Sequence, residues 1–113
     1  MKPTNKFKYR SPFGHTYDCR FKAMRYASNG NLALIMEEAE SGERILTATV
    51  NTTVKLPDDR IAVKDYSENV GVADFLKELG IIQPVEVASI PSGWVEIPVF
   101  ELTESGKELF EGV

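Results

Sequence analysis

The one histidine and the one cysteine, His15 and Cys19, are the pair from which a thiolate–imidazole nucleophile would be assembled. They fall around a turn and along a strand, with a parity that does not force them together, and no third orienting residue is evident. The expectation is a core cysteine and a loop histidine. The same two side chains fall short of the usual zinc ligand sets, and the acids lack the spacing of a calcium loop. Glu37, Glu38 and Glu40, and the pair Asp58-Asp59, cluster carboxylates in polar predicted loops. General acid–base work needs burial to raise one carboxyl, and such loops do not suggest burial. Their remaining use is as an acidic surface that meets a basic partner or imitates a phosphate track. Ser105-Gly106-Lys107 has the end of a phosphate-binding loop but lacks the upstream glycine and strand. No catalytic residue, metal or cofactor is expected.

Binding chemistry is better represented. Through Tyr26 there are seven basic residues against one acid, and from Ala27 onward six against sixteen, giving a net charge of −4. This asymmetry points to a charged partner, or to attraction between the two halves within or between molecules. Phe7, Tyr9, Phe13, Tyr17, Phe21 and Tyr26 interleave with the cations, the mixture a stacking platform for single-stranded nucleic acid uses. Parity opposes that use. Phe7, Tyr9, Tyr17, Cys19 and Phe21 are odd-numbered, and Lys6, Lys8, Arg10, Arg20 and Lys22 are even, so a strand sends them to opposite faces. The aromatics are expected in the core, and Lys8, Arg10, Arg20, Lys22 and Arg25 on an outer face that contacts a partner. Trp94 is expected in the core; exposed, it would be an interaction anchor.

The elements that must position these residues read as β-β-β-β-β-α-β-β. Lys6–Arg10 and Tyr17–Tyr26 alternate as strands. Ser28-Asn29-Gly30-Asn31 is the strongest hairpin signal, because Asn-Gly takes positive φ cheaply. Leu32–Met36 is apolar on both faces and therefore central. Arg44–Val54 is a fourth strand, Ile61–Lys64 a short fifth, Val85–Ile90 a sixth and Trp94–Leu102 a last one. Pro98 places that last strand at an edge or a bulge. Between them, Val72, Phe75, Leu76 and Leu79 share one face of an amphipathic helix over about 68–79, capped by Ser67 or Asn69 and ended by Gly80. The predicted fold is α+β, one domain over 1–113 with an antiparallel sheet of five to seven strands and this helix on one face. Residues 104–113 form a short terminal helix or fray, and 1–5 fray. The single cysteine fits a reducing compartment. With no leader-like segment and no apolar run near the ~20 residues that cross a bilayer, the expected location is the cytoplasm.

Tyr26, Asn29-Gly30-Asn31-Leu32-Ala33-Leu34, then Leu46-Thr47-Ala48-Thr49-Val50-Asn51, Asp65-Tyr66-Ser67-Glu68-Asn69, Phe75-Leu76, Gly80-Ile81, Ser92-Gly93-Trp94 and Pro98 follow one another in a familiar order. Over Tyr26 to Leu102 the chain resembles a family of small uncharacterised proteins of bacterial phages and conjugative elements. That family has an Asn-Asn-Leu-Ala strand, a Leu-Thr-Val-Asn strand, a helix ending in Gly and a Ser-Gly-Phe strand. Here Ala48-Thr49 interrupts the second motif and Trp94 replaces the phenylalanine. The resemblance carries no active site. With the small size, the charge asymmetry and the missing catalytic set, it points to a non-enzymatic accessory protein of a phage or mobile element in the host cytoplasm, acting by binding, with inhibition of a host defence system as the natural hypothesis. The expected partner is a host protein, with a homodimer also open and no membrane. The alternative is a module binding nucleic acid or a small ligand through the basic, aromatic N-terminal hairpin.

Overall fold

The computed structural model describes residues 6–113. Residues 1–5, expected to fray, lie outside the described residues. Lys6–Arg10 (β1), Thr16–Arg25 (β2), Leu32–Glu38 (β3) and Arg44–Thr47 (β4) form a four-stranded antiparallel sheet in that order. Phe7 pairs with Cys19 and Tyr9 with Tyr17, while Lys6 faces Arg20 and Lys8 faces Asp18. The period of two therefore separates the side chains as expected. Tyr9, Cys19 and Phe21 are buried, and Lys6, Lys8, Arg10, Arg20 and Lys22 are exposed. β3 is internal, as its apolar composition requires.

The β2–β3 connection is longer than a two-residue Asn-Gly turn. Tyr26 N donates to Asn31 O and Gly30 N to Tyr26 O, both at 2.8 Å. Asn29 contributes its side chain, accepting from Asn31 N and donating to Thr52 O. Asn31 is buried, donates to Val54 O and accepts from Leu56 N. These amides bind the backbone of 52–56, which is why the fourth strand stops at Thr47 instead of running to Val54. Beyond it a single bridge, Thr49 to Val63, links this sheet to the next.

The second sheet is three-stranded: Arg60–Ala62 (β5), Ala88–Ser92 (β6) and Val95–Glu101 (β7), in the order β5-β7-β6. The expectation of a single sheet is thus corrected to two, and β7 is the middle strand rather than an edge. Pro98 is tolerated there because its carbonyl accepts from Val63 N, so its nitrogen faces the point where β5 has already ended. Pro91, expected in a turn, lies in the edge strand β6.

The predicted helix is divided. Ser67–Asn69 is a 3₁₀ turn and Val72–Glu78 (α1) is α-helical, separated by Gly71 at φ +91°. Neither expected cap caps α1. Ser67 has φ +56°, and Asn69 is buried and donates to Thr47 O at 2.7 Å. The Asp65 carboxylate takes their place, accepting from Gly71 N and Ala73 N at 3.0 Å each. Val72, Ala73 and Leu76 face the core, Phe75 is half-buried, and Leu79 is exposed because the helix ends one residue before it. Phe75 instead joins β1, with ring centroids 5.6 Å from Phe7 and 5.1 Å from Tyr9. Gly80 has the expected left-handed φ, +73°. A second helix, Glu104–Leu109 (α2), is capped by Thr103 and buries Leu109 and Phe110. The main core lies between the sheets and the helices. A smaller cluster of Leu56, Ala62, Ile97 and Val99 sits on the far face of the second sheet.

Candidate docking hairpin

β7 divides its side chains cleanly. Ile97 and Val99 enter the smaller cluster, and Phe100 on the opposite face is buried in the main core. Moving from Phe100 toward the hairpin tip, Pro98 is half-buried and Glu96 exposed, whereas Lys77 of α1 reaches over the Phe100 ring. These residues border a groove of about 680 Å³. It is lined by Ala73, Asp74 and Lys77 of α1, by Pro98 and Phe100 of β7 and by the 84–86 segment. Asp65, Asp74, Glu86 and Glu96 line it against the one lysine, Lys77.

These charges are not equally free. Asp65 is occupied by its two backbone N–H groups. Lys77 Nζ lies 3.6 Å from Asp74 Oδ1 and 5.0 Å from the Phe100 ring centroid, a cation–π position. Ser89 Oγ donates to Glu96 Oε2 at 2.6 Å, leaving the other oxygen open. Glu86 is exposed and has no hydrogen bond or ion pair among the described residues.

Trp94 precedes the groove-lining Val95 and Glu96 in the chain and is not itself a lining residue. Ser92 pairs with Val95, leaving Gly93 and Trp94 as a two-residue loop. Gly93 has φ +60° and Trp94 does not have positive φ, the pattern of a type II′ hairpin. Trp94 is 104% exposed, so the expectation of a core tryptophan is corrected. The turn itself explains this. The second central position of such a loop faces away from both sheet faces, and any small polar residue would satisfy it. Its signal in the sequence was Gly-X between two β-prone runs, which is the II′ signature.

The basic face is assembled, but its members differ. Lys8 lies 3.5 Å from Asp18, and Arg20 3.4 Å from Glu37. Arg25 is tied into the fold: it reaches Asp58 at 3.1 Å, Gly30 O at 2.9 Å and Val113 O at 3.1 Å. Arg10 and Lys22 are exposed and have no ion pair among the described residues. Part of the charge asymmetry is therefore neutralised within the molecule. The Arg25 hydrogen bond, then the Arg25 and Lys55 charges, hold Asp58 below the usual carboxylate range.

No family model, curated protein or solved structure matches this chain.

The remaining chemistry-bearing residues are dispersed. Cys19 is fully buried, its thiol donating to Tyr17 O, and burial first, then the Asp18 and Glu38 charges, push it up to about 11. At neutral pH it is a thiol rather than a nucleophilic thiolate. His15 is exposed at the β1–β2 turn, its ring 6.4 Å from that of Tyr17. Among the described residues, no three His, Cys, Asp or Glu side chains gather to hold a metal. Gly106 N and Lys107 N are spent on Thr103 at the start of α2, so Ser105-Gly106-Lys107 presents no phosphate cradle. No helix among the described residues is long and apolar enough to cross a membrane.

Proposed function

We propose that this chain is a non-enzymatic accessory protein of a phage or mobile element that acts by binding a host protein, with inhibition of a host defence system as its use. The observation that carries the reading is Trp94, wholly exposed on a short, well-paired hairpin. Isolated exposed apolar residues are ordinary on protein surfaces. Trp94 differs because neither core cluster includes it and its turn does not need an indole. Tryptophan is the residue type most enriched among interface anchors, because a large rigid surface is buried at small entropic expense. Two antiparallel strands hold it in place before any partner arrives.

The test is capture from bacterial host lysate by the immobilised chain. Trp94→Ala is expected to lose the captured protein. A second surface is favoured by Arg10 and Lys22, which are exposed and unpaired by any acid among the described residues. Reversing Arg20 and Lys22 to Glu tests that surface in the same experiment. Capture indifferent to both changes removes the docking reading.

A further inference from the structure

The groove lined by Val95 and Glu96, the two residues that follow Trp94, has a sign as well as a shape. Glu86 is exposed without a partner among the described residues, and Glu96 has one carboxylate oxygen free. The same groove is lined by Pro98 and by Phe100, whose ring already carries the ammonium of Lys77 5.0 Å from its centroid. An apolar lining shared with unpaired carboxylates suits a side chain with an aliphatic stem and a cationic head, since the stem is desolvated while the head keeps polar partners. A phosphate-bearing ligand meets the wrong charge there.

We propose that this groove receives a basic segment of a partner protein, with an arginine head between Glu86 and Glu96, its stem on Pro98 and Phe100, and Trp94 packed over the neighbouring residue. The inference rests on the docking reading above and adds the chemistry of what docks. Arginine is favoured over lysine because its planar fork can engage a carboxylate bidentately.

Trp94 is the chain's single tryptophan and adjoins the lining residues Val95 and Glu96 in sequence, so its emission reports contact at the hairpin tip. The probe is octa-arginine peptide, titrated at low salt against the full chain, with a fluorescein-labelled copy for anisotropy. Expected are a blue shift of Trp94 emission on binding and a weakening of at least fivefold in Glu86→Gln/Glu96→Gln. The control Glu40→Gln/Glu43→Gln removes the same charge from the exposed β3–β4 turn and is expected to change affinity less than twofold. Trp94→Ala is expected to weaken the labelled peptide about tenfold and Trp94→Phe much less.

Equal weakening of both double variants would overturn the proposal, since attraction would then be diffuse. So would Trp94 emission unmoved by saturating peptide, or a groove occupied by a second copy of the chain, seen as self-association abolished by Glu86→Gln/Glu96→Gln. If octa-arginine fails while Trp94-dependent capture of a host protein persists, the basic-segment chemistry falls and the docking hairpin stands. If both fail, both fall.

Discussion

Replacing Gly106 with alanine tests how tightly α2 is seated. A Cβ at this position would lie 2.1 Å from the backbone oxygen of Ile81 and 3.1 Å from Leu102 Cδ2. That carbonyl cannot swing aside freely, because it accepts from Thr103 N at 3.0 Å, and Thr103 Oγ1 also donates to Gly80 O. Relief therefore requires α2 to lift by more than ~1 Å, since ordinary carbon–oxygen contact needs well over 3 Å. Lifting uncovers Leu109 and Phe110, which are 6% and 8% exposed. Their burial contributes about 1.5–3 kcal/mol each, and alanine returns about 1 kcal/mol of helix propensity. The expected loss is about 2–5 kcal/mol, enough to lower Tm by about 10 °C or more in a chain of this size. Urea melts followed by far-UV circular dichroism measure it; Trp94, already in water, is a poor folding probe. Ser105→Ala, one residue away and exposed, should change stability by less than about 0.5 kcal/mol. Gly106→Ala as stable as the parent would refute the packing argument.

Asp65→Ala removes the acceptor of the N–H groups of Gly71, just before α1, and of Ala73 in its first turn, and should cost about 0.5–2 kcal/mol by the same melts, whereas no loss would mean that solvent caps the helix equally well. Ser67→Gly should add about 0.5–1 kcal/mol, because φ +56° strains a residue with a Cβ; a destabilised variant would contradict this. Cys19 has its pKa raised by burial from 9.0 to about 11, so the unfolded chain loses that proton first and stability falls as pH rises through this window. Cys19→Ala should flatten the decline between pH 9 and 10, and at pH 8 the folded protein should resist iodoacetamide; rapid alkylation would show that the thiol is accessible.

Alternation made the N-terminal half legible. The parity of Phe7, Tyr9, Cys19 and Phe21 against Lys8, Arg10, Arg20 and Lys22 is a period-two signal that only one sheet geometry satisfies, and the unbroken run Leu32–Met36 admits only an internal strand. The second half was harder because local signals compete with distant partners there. Thr52 and Val54 have the β-branched character of a strand, but the Asn29 and Asn31 amides take their backbone carbonyls, which no local pattern reveals. Val72, Phe75, Leu76 and Leu79 share a helical face, yet Gly71 starts the helix late and Asp65, outside it, supplies the cap. Pro98 reads as an edge residue until β5 is seen to end opposite it. Trp94 followed the composition rule that sends large apolar residues inward, when the Gly93-Trp94 hairpin loop had already turned it out. The groove was invisible for a different reason. It is lined jointly by α1, β7 and the 84–86 segment, and no local pattern reveals that these elements come together.

The central claim is that Trp94 serves recognition and not folding, and one substitution separates the two. Trp94→Ala should leave the unfolding free energy from urea melts within about 0.5 kcal/mol of the parent, since Trp94 is 104% exposed and belongs to neither core cluster. The same variant should lose the host protein that the parent chain captures. Undiminished capture by a stable Trp94→Ala chain would contradict the account.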